Sequence, residues 1–248
     1  MPLGSDSNEY SILHIDIRNY SYYSGTLSSW LDVPSEKALN RLSGHPDKEG
    51  YYQRCEKRLP VMAEYTELFY EKVQNIYDEL KKEEEIFYDR IYAGDGIYYA
   101  LLSNQHGEET IKIPIDFLKS LSKKMPEFFL RWNQKLERKN LSENNLKLDF
   151  AIAVHYGYLS KIKIPPRKIH LSNEQMDTLI GPAINIVSKV EKLSKLFSGV
   201  KIVITEKFFK EIPKDSDYYE SLEELSSERV NIEGLSEPLK LYTFKDLS

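Results

Sequence analysis

The chain has 248 residues, 41% of them hydrophobic and 29% charged, a balance that supports a full buried core in one large domain or two small ones. Its net charge of −5 excludes a nucleic-acid binder held by phosphate contacts. No apolar run approaches the ~20 residues of a membrane span, which argues against a membrane partner. One cysteine, Cys55, excludes an internal disulfide and fits a reducing, cytoplasmic setting; five scattered histidines draw no zinc site.

Residues 1–8 read as the remnant of an expression tag and a disordered start, so residues 9–248 carry the fold as a single domain. The first strand is predicted over residues 10–17 and ends on a carboxylate, Asp16. The passage after it, Arg18-Asn19-Tyr20-Ser21-Tyr22-Tyr23-Ser24-Gly25, is polar and tyrosine-rich. Such a passage either forms a capped loop or opens a helix whose free N–H groups, near Tyr20 and Ser21, face a phosphate.

Residues 31–58 hold Pro34, Gly44-His45-Pro46 and Gly50, and read as an insertion with a short helix near residues 35–42. Residues 59–85 are predicted helical from the spacing of Val61, Tyr65, Leu68, Phe69, Val73, Ile76 and Leu80, with the charge run 81–85 as a solvated end. Then come two β-branched and aromatic runs around Gly94-Asp95-Gly96, a hairpin signal that leaves a carboxylate at the tip of a rigid element. Asp95 alone is an ordinary turn residue. Beside Asp16 on a neighbouring strand, it would complete the pair of carboxylates that a divalent ion needs.

Residues 108–139 are predicted helical, kinked or divided at Pro126. A strand over 146–155 is expected to turn at Gly157 into another over 158–164, and His155 reads as a packed strand histidine. Gly181-Pro182 opens an amphipathic helix over 181–193. Asn185 and Lys189 stand one turn apart on one face of it, as a functional pair or an exposed polar stripe. A strand over 200–205, a helix over 206–212 and a closing strand pair at 229–232 and 239–244 complete the chain. The interleaving predicts an α+β fold, a mainly antiparallel sheet covered by helices.

Four segments in this order resemble the class III nucleotide cyclase catalytic domain: Ile15-Asp16-Ile17-Arg18-Asn19-Tyr20-Ser21, Ala93-Gly94-Asp95-Gly96, the strand 150–157, and Ile180-Gly181-Pro182-Ala183-Ile184-Asn185-Ile186-Val187-Ser188-Lys189. The closing Glu233-Gly234-Leu235 through Tyr242 is similar to that family's last strand pair. The resemblance spans the chain apart from residues 31–58, and implies a ferredoxin-like core and cyclisation of a nucleoside triphosphate to a 3′,5′-cyclic nucleotide. It assigns two Mg²⁺ or Mn²⁺ ions to Asp16, Asp95 and the Ile17 carbonyl. It implies a homodimer with composite sites, in which Asn185 orients the ribose and Lys189 stabilises the transferring phosphorus from the other subunit.

Three departures qualify it. Lysine stands where the family usually has arginine, and Glu233 falls near the place of a triphosphate-binding lysine. The positions at which purine cyclases read the base hold Ile91 and Thr178, the latter beside Asp177. The missing purine-reading pair points to UTP or CTP, as in the stand-alone pyrimidine cyclases of antiphage defence, and the resemblance to these implies a separate effector that reads the product. Tyr51, Tyr52 and Arg54 (or Arg58) either line the base pocket or cover the dimer edge. The alternatives are an adenylate or guanylate cyclase and a catalytically weak nucleotide-binding relative. A diguanylate cyclase lacks its Gly-Gly-Asp/Glu-Glu-Phe turn here.

Overall fold

A computed structural model describes residues 7–20, 48–80, 88–93, 96–102, 109–142, 147–164, 176–197, 199–232, 235 and 237–245. The chain divides into two compact units: residues 1–16, 78–122 and 151–248 form the first, and residues 17–77 and 123–150 the second.

The first unit is built on a mixed sheet. Strand β1 (Ser7–Arg18) lies between its partners because both of its faces are apolar through Ile12, Leu13 and Ile15, all fully buried. It pairs antiparallel with β3 (Gly96–Leu102), from Tyr10 opposite Leu102 to Asp16 opposite Gly96. The predicted hairpin is present: β2 (Tyr88–Ala93) runs back along β3, and its register closes with Ala93 opposite Gly96. These registers set two rows across the strands, Ile91–Tyr98–His14 and Ala93–Gly96–Asp16.

Strand β4 (Asp149–Ile164) departs from expectation, since it passes through Gly157 without turning. The glycine answers a close approach instead. A Cβ there would sit 3.0 Å from that of Ala183, on the helix above. The first half of β4 pairs in parallel with β6 (Ile202–Thr205), and its second half pairs antiparallel with β5 (Met176–Ile180). The sheet is completed by β7 (Leu222–Glu224) and β8 (Leu241–Phe244), in the order β2-β3-β1-β4-β6-β8-β7 with β5 attached to β4. The closing strand pair is therefore corrected. β8 pairs with β6 and β7, while the segment 229–232 contributes a single bridge, Val230 to Leu239. Arg229 is committed to a side-chain interaction, forking onto Glu206 at 2.9 and 3.2 Å.

The longest described helices are α1 (Lys48–Leu80), α2 (Glu109–Arg138) and α3 (Pro182–Leu193). Helix α3 starts with Pro182, whose missing N–H would have been unsatisfied there anyway. The preceding Gly181 is extended, so it is required by space: a Cβ would meet the Tyr158 carbonyl oxygen at 2.7 Å. Ala183, Val187 and Val190 of α3 pack over one sheet face, with Tyr10, Ile12, Ala100, Ala153 and Val203. On the opposite face Tyr99 meets Phe117 of α2 edge-on at 5.1 Å. Two short helices, α4 (Glu206–Lys210) and α5 (Asp217–Glu220), come after β6, each capped by a hydroxyl, from Thr205 and Ser216 respectively.

The core of the second unit is aromatic: Tyr65 lies 4.9 Å from Trp132 and 5.4 Å from Phe128 between ring centroids, and Phe129 lies 5.5 Å from Phe150. The buried Asn133 amide accepts from Leu148 N–H at 2.7 Å and donates to its carbonyl at 2.9 Å, satisfying the chain just before β4. Helix α1 begins at Lys48, so residues 48–58, read as part of an insertion, belong to it. Gly50 costs only about 1 kcal/mol in a helix and Pro60 about 3. Burial of Val61, Met62, Tyr65, Phe69, Val73, Ile76 and Tyr77 offsets both. The helix expected at 35–42 and the charge run 81–85 lie outside the described residues. Helix α2 runs unbroken past the exposed Pro126. No helix among the described residues is long and apolar enough to cross a membrane.

Candidate functional site

Alternation along β1 puts Ile12, His14 and Asp16 on the face that α3 covers. Asp16 is half-buried at the end of that row, opposite Gly96. A side chain at Gly96 would collide: its Cβ would fall 2.8 Å from His14 Nε2 and 3.2 Å from Asp16 Oδ1. At the first residue of β3 the glycine thus lets His14 and the Asp16 carboxylate approach the backbone closely. Asp95 precedes Gly96 in the sequence and lies, with Gly94, outside the described residues. Ile17 follows Asp16 in β1 and is buried. Among the described residues no group of three or more His, Cys, Asp and Glu could hold a metal ion. The donors that the resemblance names are the Asp16 and Asp95 carboxylates and one backbone carbonyl. This hard-oxygen set suits Mg²⁺ or Mn²⁺, and the half-buried Asp16 carboxylate stands at the strand end opposite Gly96, which has no side chain to cover it.

The next row inward is aromatic. His14 and Tyr98 stack, with ring centroids 4.2 Å apart and planes 8° from parallel. Burial, and then the Lys192 charge, lower the His14 pKa to about 4, so the imidazole is neutral at pH 7. The Tyr98 hydroxyl lies 2.6 Å from Ser188 Oγ on α3, and Ser188 Oγ donates to the Ile184 carbonyl at 3.0 Å. Ser188 has one hydroxyl proton and uses it on Ile184, so Tyr98 is the donor to Ser188. Asn185 is exposed and Lys189 half-buried, one turn apart on α3 as predicted.

Ile91 lies opposite Tyr98 in the β2–β3 register and packs against the apolar cluster under α3. Thr178 lies half-buried opposite Ile162 on β5. Strands β2 and β5 approach within 8 Å between Cα atoms, so Ile91 and Thr178, the positions expected to face a base, stand on neighbouring strands, though β2 and β5 share no ladder. The missed strand β5 carries no alternation of its own and owes its form to β4.

The Tyr20 hydroxyl donates to Thr66 Oγ1 at 2.8 Å, and Thr66 donates in turn to the Met62 carbonyl. That engages the tyrosine with α1. Ser21 and Glu233 lie outside the described residues. So do the side chains of Tyr51, Tyr52, Arg54 and Arg58, whose backbone is in the first turns of α1, and that of Asp177 in β5. His155 is a packed strand histidine, as read: its Nδ1 lies 3.0 Å from Thr205 Oγ1, and burial lowers its pKa to about 4. The sequence reading missed the contacts of His14, Tyr98 and Ser188. The only signal available to it was a hydroxyl on the helix next to Lys189.

No protein-family model and no curated protein matches the sequence. Solved structures do match the fold. The adenylyl cyclase CyaB from P. aeruginosa is 14% identical with a TM-score of 0.59, over 97% of this chain and 95% of that one. The guanylyl cyclase Cya2 is 12% identical with a TM-score of 0.56, over 97% and 93%. The guanylate cyclase domain of RhGC from Catenaria anguillulae, solved in complex with GTP, is 11% identical with a TM-score of 0.50, over 96% and 97%. Over nearly its whole length, the chain has the α+β fold of the class III adenylyl and guanylyl cyclase catalytic domains.

Proposed function

We propose that the protein cyclises a nucleoside triphosphate. The 3′-oxygen forms a bond to the α-phosphorus, the bond from that phosphorus to the bridging β-phosphate oxygen breaks, pyrophosphate leaves, and the hydroxyl proton passes to solvent. The observation that supports the reading is the half-buried Asp16 carboxylate at the end of β1, opposite Gly96 at the strand start next to Asp95, on the sheet face that α3 covers. Asp16, Asp95 and the Ile17 carbonyl would hold Mg²⁺ or Mn²⁺, two ions per site. Such ions, when bound, supply the Lewis acidity that lowers the hydroxyl pKa and neutralises the triphosphate.

Asn185 is assigned to orient the ribose and Lys189 to offset charge on the transferring phosphorus. A lysine does this as a compact point charge without the fork of a guanidinium, so a modest turnover is expected. The exposure of Asn185 is consistent with donation to a second subunit, in a two-fold homodimer with two composite sites. The base is read as a pyrimidine. Ile91 offers no hydrogen bond, Thr178 only a hydroxyl, and an apolar wall discriminates mainly by size. Tyr51 and Tyr52 would fill the space of a second purine ring, and Arg54 would donate to the carbonyls of UTP, ahead of CTP. A separate effector would read the cyclic product in the cytoplasm.

Mixing tests the composite site. Asp16→Ala and Asn185→Ala proteins, each inactive, should regain activity together because a heterodimer keeps one intact site. No rescue despite demonstrated subunit exchange would overturn it. The base is tested by comparing kcat/KM among the four triphosphates. A preference for ATP or GTP over both pyrimidines would replace the pyrimidine reading with a purine cyclase.

A further inference from the structure

The polar chain Tyr98–Ser188–Ile184 is absorbed by neither the metal site nor the base pocket, and its end points are informative. It starts on β3, two residues after Gly96, and crosses to α3 through a 2.6 Å contact between the two hydroxyls. It ends on the Ile184 carbonyl, half of the peptide that joins Ile184 to Asn185. Ser188, in its middle, is bonded to Lys189. Each residue proposed for catalysis on α3 therefore directly follows a residue in the chain of hydrogen bonds. Tyr98 itself has little freedom: it stacks on His14 at 4.2 Å, and Ile91 stands opposite it on β2.

We propose that Tyr98 is a positioning residue, whose hydroxyl, acting through Ser188, sets how α3 presents Asn185 and Lys189 to the carboxylate site of the second subunit. Apolar packing holds the helix to the sheet but is non-directional, and it tolerates small slides. A donor–acceptor chain with fixed polarity does not. The residues assigned to the ribose and phosphorus are thereby fixed on the sheet of their own subunit, in one orientation toward the second. A displacement on the order of 1 Å at such groups can cost about 10²-fold in rate.

This inference rests on the cyclase reading, and the experiment separates the two. Tyr98→Phe keeps the ring and its stack and removes only the donor. Ser188→Ala removes the relay while placing a better helix former in α3, so it should fold. Both should lower kcat by roughly 10- to 100-fold, with KM for the metal–nucleotide changed less than about threefold. The double variant should be no worse than either single one, because the two hydroxyls act as a unit. Ser188→Thr, which restores the hydroxyl, should recover most of the loss. Hydrogen exchange over residues 182–193 should be faster in Tyr98→Phe than in wild type.

Unchanged exchange in a folded Tyr98→Phe protein, additive losses in the double variant, or a kcat within twofold of wild type would each overturn the proposal. A wild-type protein that turns over none of the four triphosphates would sink the cyclase reading instead. The exchange comparison would then still decide whether the hydroxyl chain holds α3.

Discussion

Leu13, Ile15, Ile97 and Tyr99 point to one face of β1 and β3, while Ile12, His14, Asp16, Gly96 and Tyr98 point to the other. The same two strands thus present one nearly all-apolar face and one that mixes apolar packing with polar groups. On the first, every side chain is fully buried, and Tyr99 meets an α2 phenylalanine. On the second, apolar contacts near Ile12 give way within four residues to a neutral imidazole, a hydrogen-bonded phenol and a carboxylate. A period of two residues is enough to separate an apolar face from one carrying ionisable and hydrogen-bonding groups along a single strand. Substitutions on the two faces should therefore fail in different ways.

The largest effect is expected at Asp16. Asp16→Ala should lower cyclisation on the order of 10³-fold or more, because losing several kcal/mol of charge stabilisation at the reacting phosphate costs that much. Its thermal unfolding should shift little. Leu13→Ala, three residues earlier on the opposite face, should do the reverse. It should cost about 2–5 kcal/mol in chemical denaturation and leave turnover per folded molecule unchanged. A folded Asp16→Ala protein with substantial activity would mean that the chemistry lies elsewhere.

Acid offers a way to sharpen the contrast, because His14 and His155 are on the face beneath α3. Burial, and then the Lys207 charge, lower the His155 pKa from 6.5 to about 4. Between those values the unfolded chain binds a proton that the folded chain refuses, so stability falls as pH falls through this window. The loss should approach about 3 kcal/mol for His155 by pH 4, with a comparable loss for His14. Denaturation at pH 7 and pH 5 reads it, and His155→Gln should flatten part of the slope. A slope unaltered by that substitution would contradict the assignment. A smaller effect is expected at Thr205, which caps α4 and contacts His155 Nδ1. Thr205→Ala should cost about 1–2 kcal/mol, seen as a lower denaturation midpoint.

Much of this face was legible in the sequence, where local pattern dominates. The apolar run of β1, the Gly-Asp-Gly hairpin and the Gly-Pro start of α3 each declare themselves within a dozen residues. The errors arose where a local signal was overridden. Gly157 looked like a turn, yet it is the spot where Ala183 leaves no room for a side chain. Gly50 looked like a break, but seven buried side chains further along keep α1 going. Met176–Ile180 has no pattern of its own because its strand character is borrowed from β4. Tyr98 and Ser188 are 90 residues apart, so no spacing rule could join them.

The central claim is that the face carrying Asp16 supports cyclisation of a nucleoside triphosphate. Its most direct test is to incubate the purified protein with each of the four triphosphates and Mn²⁺, and to identify the products by mass. A 3′,5′-cyclic nucleotide and pyrophosphate are expected in equal amounts, from UTP or CTP ahead of ATP and GTP, and neither product from the Asp16→Ala protein. No cyclic nucleotide from any of the four, or an equal yield from Asp16→Ala, would contradict it.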